Sequence, residues 1–183
     1  MINMKKVILV AGFAVMFSLG AMSQKVYATK TGQISFDATG TCAEAIKATN
    51  NQVDSKFVDK SGQIVFSVLI KGFKFANALM EDHFNENYME STKFPKADFK
   101  GFITNIASVN FAKDGIYEVS AKGTLTIGGK GKEITVPGTI TVENGKPTIK
   151  ANLSIPLTDF IHGSYIGSQI SSNAKATIVC KYE

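Results

Sequence analysis

Apolar and polar residues alternate along most of this chain with the period of two that marks strands with one wet and one dry face. GQISFDA sets Ile34 and Phe36 against polar neighbours, and predicts a first strand from about Lys30 to Ala38. TCAEAIKATN, from Thr41, allows a short helical turn. Asn50 and Asn51 then return the chain to NQVDSKFVD, in which Val53 and Phe57 are core candidates. Lys60-Ser61-Gly62 is turn chemistry. From Gln63, IVFSVLIKGFKF is the most apolar run and predicts one continuous strand. Ile64, Phe66, Val68 and Ile70 share one of its faces and Val65, Leu69 and Phe73 the other, so this strand is expected to be covered on both sides along part of its length.

The alternation lapses between about residues 76 and 90. On helical spacing Leu79 and His83 share a face there, while Met80, Phe84, Asn87 and Tyr88 fall on the next, which predicts a short amphipathic helix. Pro95 stops it and pushes Phe94 into an extended conformation, opening a strand through Phe99. ADFKGFITNIASVNF follows, with Phe99 and Ile103 opposing Phe102, Thr104 and Ile106. Lys113-Asp114-Gly115 reads as a hairpin turn. Beyond it comes a meander of three strands, IYEVSAKGTLTI, KEITVPGTITVE and PTIKANLSIPL, separated at Gly128-Gly129 and at Asn144-Gly145. Each has one apolar face, carried by Tyr117, Val119 and Leu125, then by Ile134, Val136, Ile140 and Val142, then by Ile149, Leu153, Ile155 and Leu157. A longer loop from Thr158 to Ser172 precedes the closing strand NAKATIVCKYE.

Roughly eight antiparallel strands, several of them long and continuously alternating, predict an all-β protein and favour an up-and-down barrel over a sandwich. At about eight strands the interior of such a barrel is wide enough for one small ligand. The short helix is then an insertion between strands.

Composition changes this picture at the N-terminus. Lys5 and Lys6 precede an apolar run from Val7 to Leu19 and the small residues Ala21 and Ser23. This is the pattern of a secretory signal peptide, with cleavage expected after Ser23 and a single domain from 24 to 183. No cysteine stands at its end to take a lipid anchor, so the expected product is free in the periplasm or secreted. The formal charge of +5 includes the two leader lysines, and the remaining lysines are scattered without a basic block, which argues against nucleic-acid binding. An exported chain with two cysteines invites a disulfide. If the first and last strands close the barrel, however, Cys180 lies beside the start of the first strand and Cys42 beyond its end, on the order of 30 Å apart, and two free thiols are expected.

Motif chemistry is sparse. HExxH, CxxC, GxSxG and a phosphate-binding glycine loop before a helix are all absent. Gly128-Gly129-Lys130-Gly131 lies between two strands and reads as a hairpin. Glu81, Asp82 and His83 are adjacent on a helix and so point in different directions, which favours His83 as a hydrogen-bonding group at a pocket mouth over a catalytic group or metal ligand. His162, beside Gly163, reads as an exposed loop residue. No cofactor is expected.

The wording HFNENYMES followed by KFPKADFKG resembles the YceI family of exported lipid-binding proteins. So do the early GQISF strand, the strand GQIVFSVLIKGF, the step from Pro95 to Phe99, and the late turn from Pro156 to Phe160. The resemblance implies a lipocalin-like antiparallel barrel in the periplasm that holds a polyisoprenoid or quinone-type lipid in an apolar pore. This sequence departs from it in having no tryptophan and a short Thr41–Asn50 segment, so pocket length and ligand identity do not carry over. Under this reading Phe36, Phe66, Val68, Phe99, Ile103, Val119 and Leu125 face the pore, Met80, His83, Phe84 and Tyr88 cover it, and lysines and tyrosines at the mouth meet any head group. The expected function is non-catalytic carriage, sequestration or stress protection, with transient membrane contact and a homodimer left open. Two alternatives predict different outcomes. A haem- or metal-linked redox protein or enzyme would depend on His83, and a structural or interaction module would have a barrel filled by its own side chains.

Overall fold

β1 (Val26–Thr39) is flanked by β9 (Ile170–Lys181) on one side and by β2 (Lys47–Val58) on the other, and this double pairing closes the sheet into a barrel. The computed structural model describes residues 24–41, 44–163 and 165–183. The expected signal peptide and Cys42 lie outside them. Around the ring from β2 run β3 (Gln63–Leu69), β5 (Lys96–Ile103), β6 (Gly115–Ile127), β7 (Lys130–Glu143), β8 (Lys146–Pro156) and β9, every pair antiparallel. The barrel is therefore eight-stranded and up-and-down, as the alternation predicts. A ninth, two-residue strand, β4 (Lys74–Phe75), takes the place of β3 beside the first half of β2.

The hairpins that set this order are legible residue by residue. Gly128 and Gly129 between β6 and β7, and Asn144 and Gly145 between β7 and β8, all have positive φ, from 52° to 76°. Two successive left-handed residues twist a two-residue turn in the same sense as the strands it joins.

Three local expectations fail, each because a partner distant in sequence decides the conformation. The described part of the segment after Thr41, residues 44–50, contains no helical turn. Its second half is the start of β2, where Lys47 and Ala48 pair with Asp37 and Phe36, and Lys47 forms an ion pair with Asp37 at 3.3 Å. Ladder pairing here overrides a weak helix propensity. The apolar run from Gln63 is not one strand either, because it breaks into a 3-10 turn at Ile70–Gly72. The buried Asn50 amide causes the break: its Nδ2 donates to the Leu69 carbonyl at 2.9 Å, and Gly72 lies so close that a Cβ there would sit 2.5 Å from that nitrogen. Cover on its second face is partial: Val65 is half-buried, while Leu69 points into solvent. Lys113-Asp114-Gly115, finally, ends a long connection instead of turning a hairpin. β5 pairs with β6 only from Ala121 onward, and the Asp114 carboxylate accepts a hydrogen bond from the Asn144 amide. The strand after Pro95 begins at Lys96, two residues later than expected.

One end of the barrel is solid. Tyr27, Phe57 and Phe111 stack on one another, and Tyr182 meets Phe57 edge-on at 4.9 Å. The Tyr182 and Ser55 hydroxyls share a buried hydrogen bond of 2.7 Å, which satisfies two polar groups that would otherwise be costly there. Ile140, Val142 and Cys180 complete this end with no exposed surface. Cys180 sits beside Gly32 near the start of the β1–β9 pairing. Burial raises its thiol pKa to about 11. In a Cys42→Ser chain, Cys180 is therefore expected to resist a thiol reagent at pH 8 while folded and to react fully in denaturant. Rapid labelling of the folded chain would show that this end is open.

Candidate functional site

The opposite half of the barrel encloses a cavity of about 540 Å³. On each wall the alternation that fills the solid end continues, but the inward side chains meet empty space. On β1 the wall is Ile34, Phe36 and Ala38, and on β9 it is Ala174, Ala176 and Ile178. Phe66 and Val68 of β3, Ala97 and Phe99 of β5 and Leu125 of β6 continue it, and Leu153 and Ile155 of β8 complete the ring. The polar residues in the lining are Glu44, Ser67, His83, Asp98 and Gln169, with Tyr88 and Tyr165.

A helical segment roofs the cavity. Asn77 caps α1 (Ala78–His83), its side-chain oxygen accepting from the Leu79 and Met80 amides at 2.9 and 3.4 Å. The helix then widens into a single π turn over Phe84–Tyr88. Met80, Phe84 and Tyr88 face the cavity, while Leu79 on the far side is 62% exposed. Phe84 is the anchor: its ring packs against Phe36, Phe73 and Phe75 at 5.6, 5.7 and 5.0 Å. Tyr88 is met by the loop after β8. A Cβ on Gly163 would lie 2.7 Å from the Tyr88 ring, so a larger residue there would have to push the ring aside. Burial, with a smaller effect of the nearby Tyr165, raises the Tyr88 pKa above its ordinary value.

Glu81 ties the roof to the wall. One carboxylate oxygen accepts from Lys74 Nζ at 2.6 Å and the other from the Phe75 amide at 3.3 Å, both on β4. The Lys74 hydrogen bond is the main reason its pKa lies below the usual 4.5, against a smaller opposing effect of burial. Because the folded-state value is the lower one, this tie is fully present above the unfolded-state pKa and is lost as pH falls through the folded-state pKa. Amide hydrogen exchange in α1 is expected to quicken relative to β7 once the pH falls below the ordinary carboxylate range, and a Glu81→Gln chain should show the quicker exchange already at neutral pH.

Nine of the residues expected at a pore share this space: Phe36, Phe66, Val68, Phe99 and Leu125 on the wall, and Met80, His83, Phe84 and Tyr88 on the roof. Ile103 and Val119 do not. Both point inward as the alternation requires, but both are buried in the solid end. Ile103 follows Phe99 on one face of β5, and four residues of strand advance it by roughly 13 Å, past the floor of the cavity. Leu153, Ile155, Phe160 and Ile178 also line the cavity and were not among the expected pore residues. The odd-numbered apolar parity of β8 was the available signal for the first two. His83 is exposed at the rim, and among the described residues no group of three or more His, Cys, Asp and Glu is placed to hold a metal ion. His162 Nε2 lies 2.9 Å from Lys130 Nζ; an ammonium can only donate, so that ring nitrogen is the acceptor.

The model of the YceI-like domain family matches residues 20–181. The chain belongs to the YceI-like family. Solved structures with the same fold include a polyisoprenoid binding domain from Saccharophagus degradans, 11% identical with a TM-score of 0.72, over 86% of this chain and 97% of that one. BcnA from Burkholderia cenocepacia is 18% identical with a TM-score of 0.67, over 81% and 94% of the two chains. No curated protein matches the sequence significantly. In this YceI-like barrel the roofed, apolar half is the part with room for a ligand, and the aromatic half is the part that holds the strands together.

Proposed function

We propose that this chain is an exported, non-catalytic binding protein that holds a long-chain isoprenoid-like lipid, polyprenyl or quinone-type, in the roofed half of the barrel. The observation that carries this reading is a ring of half-buried apolar side chains around about 540 Å³ of space, well within the size of small-molecule sites. A barrel filled throughout by its own side chains is inconsistent with that space. Apolar surface removed from water contributes about 25 cal/mol per Å², so a tail seated among Phe36, Phe66, Leu125 and Ile155 would gain several kcal/mol after the cost of ordering it. No reactive group is needed for such binding. The shared fold with a polyisoprenoid binding domain supports the ligand class. The leader from Met1 to Ser23 supports export, with carriage, sequestration or stress protection in the periplasm or outside the cell as the use.

The reading is tested by extracting protein purified from its own cell envelope into organic solvent and analysing the extract by mass spectrometry. A long-chain isoprenoid near one equivalent per chain is expected. An empty extract after mild purification, or bound iron or zinc that is lost in a His83→Ala chain, would contradict it.

A further inference from the structure

The cavity has a floor, and its place follows from side chains that continue the cavity walls. On β2 the inward face carries Val53 into the cavity and then Ser55 and Phe57 into the solid end. On β9 Ile178 lines the cavity, and the next inward residue, Cys180, is fully buried. On β1 Ile34 lines the cavity, while Gly32, one step further, is filled across by Cys180, whose Sγ would lie 2.5 Å from a Cβ there. Behind these positions the Tyr27–Phe57–Phe111 stack and the Ser55–Tyr182 hydrogen bond occupy the barrel. Nothing long can pass through.

We infer that the pocket is blind and acts as a ruler for chain length, seating about four isoprene units and leaving the remainder of any longer chain outside. This rests on the lipid-binding reading. The length follows from volume: an apolar cavity of about 150 Å³ holds one six-carbon ring, so 540 Å³ holds on the order of 20 carbons. Each unit within that length exchanges water for apolar wall. A unit beyond it stays at the mouth, among Glu44, His83 and Gln169, and gains little.

The test is a series of all-trans prenols, geraniol, farnesol, geranylgeraniol and octaprenol, each titrated into the purified protein below its aggregation limit and read by native mass spectrometry. Kd is expected to fall by at least about a hundredfold from geraniol to geranylgeraniol and to change by less than about twofold from there to octaprenol. In an Ile178→Phe chain, where a ring fills the floor from an already apolar wall, geranylgeraniol should lose about tenfold more affinity than farnesol does. Octaprenol binding ten times tighter than geranylgeraniol would overturn the ruler and leave lipid binding standing. An Ile178→Phe chain that folds and binds both prenols as the parent does would also overturn it. Failure of every prenol to bind would overturn the lipid-binding reading itself. The parent series decides the matter even where the variant does not fold.

Discussion

Replacing Phe57 by alanine is expected to lower the stability of the barrel by about 3–5 kcal/mol, the range for deleting a fully buried aromatic side chain and leaving a void. Phe57 has no exposed surface and touches three other rings, Tyr27, Phe111 and Tyr182. The surrounding strands are pinned by ladders on both sides, so the void cannot collapse. For a chain of this size a loss of that order lowers Tm by roughly 6–20 °C. Ile116→Ala is the control. It lies on β6 near the same end, but it is 72% exposed, and its loss should stay within about 0.5 kcal/mol. Urea unfolding of the two chains makes the comparison. A Phe57→Ala loss as small as that of Ile116→Ala would mean that this end of the barrel is not packed as described.

Replacing Phe84 by alanine is expected to weaken lipid binding by about 1–3 kcal/mol, between roughly fivefold and 150-fold in Kd. Phe84 both lines the cavity and fastens the roof, through Phe36, Phe73 and Phe75. A helix of this length holds its shape by packing more than by propensity, so the roof also loosens when its anchor goes. Two measurements separate these effects. Hydrogen exchange in α1 reports the loosening, and the Kd for geranylgeraniol reports the sum. Leu79→Ala, on the same helix but facing solvent, should alter neither. Equal losses in the two chains would mean that the helix contributes to binding only as a scaffold, and an unchanged Kd in Phe84→Ala would remove the roof from the site.

Alternation carries the fold because each strand here has one dry face. Ile140 and Val142 on β7, or Ile34 and Phe36 on β1, can be assigned inward from spacing alone, and Asn144-Gly145 fixes a turn by its tolerance of positive φ. What spacing cannot carry is depth. Val119 and Leu125 share a face of β6, yet one is packed in the solid end and the other faces open space, because they are about 20 Å apart along the strand. Nor does an apolar residue announce whether it meets another side chain. Ile140 and Ile155 read alike in sequence, and only the closing of the ring leaves the first with no exposed surface and the second beside a cavity. The break at Ile70–Gly72 was illegible for a different reason: it depends on the Asn50 amide, which comes from a neighbouring strand. The roof was the most legible part of the site. Met80, Phe84 and Tyr88 recur at helical spacing where the strand period stops, and the same three side chains face the cavity.

The barrel divided into a solid end and a receiving end is tested most directly by methyl nuclear magnetic resonance during titration with geranylgeraniol. Ile34, Leu125, Leu153 and Ile178 line the cavity, and Ile103, Val119, Ile140 and Val142 do not. The first group is expected to shift and to show contacts to the prenol chain as one equivalent is added, while the second group keeps its resonances. Shifts spread equally over both groups, or confined to methyls outside the cavity, would contradict the division.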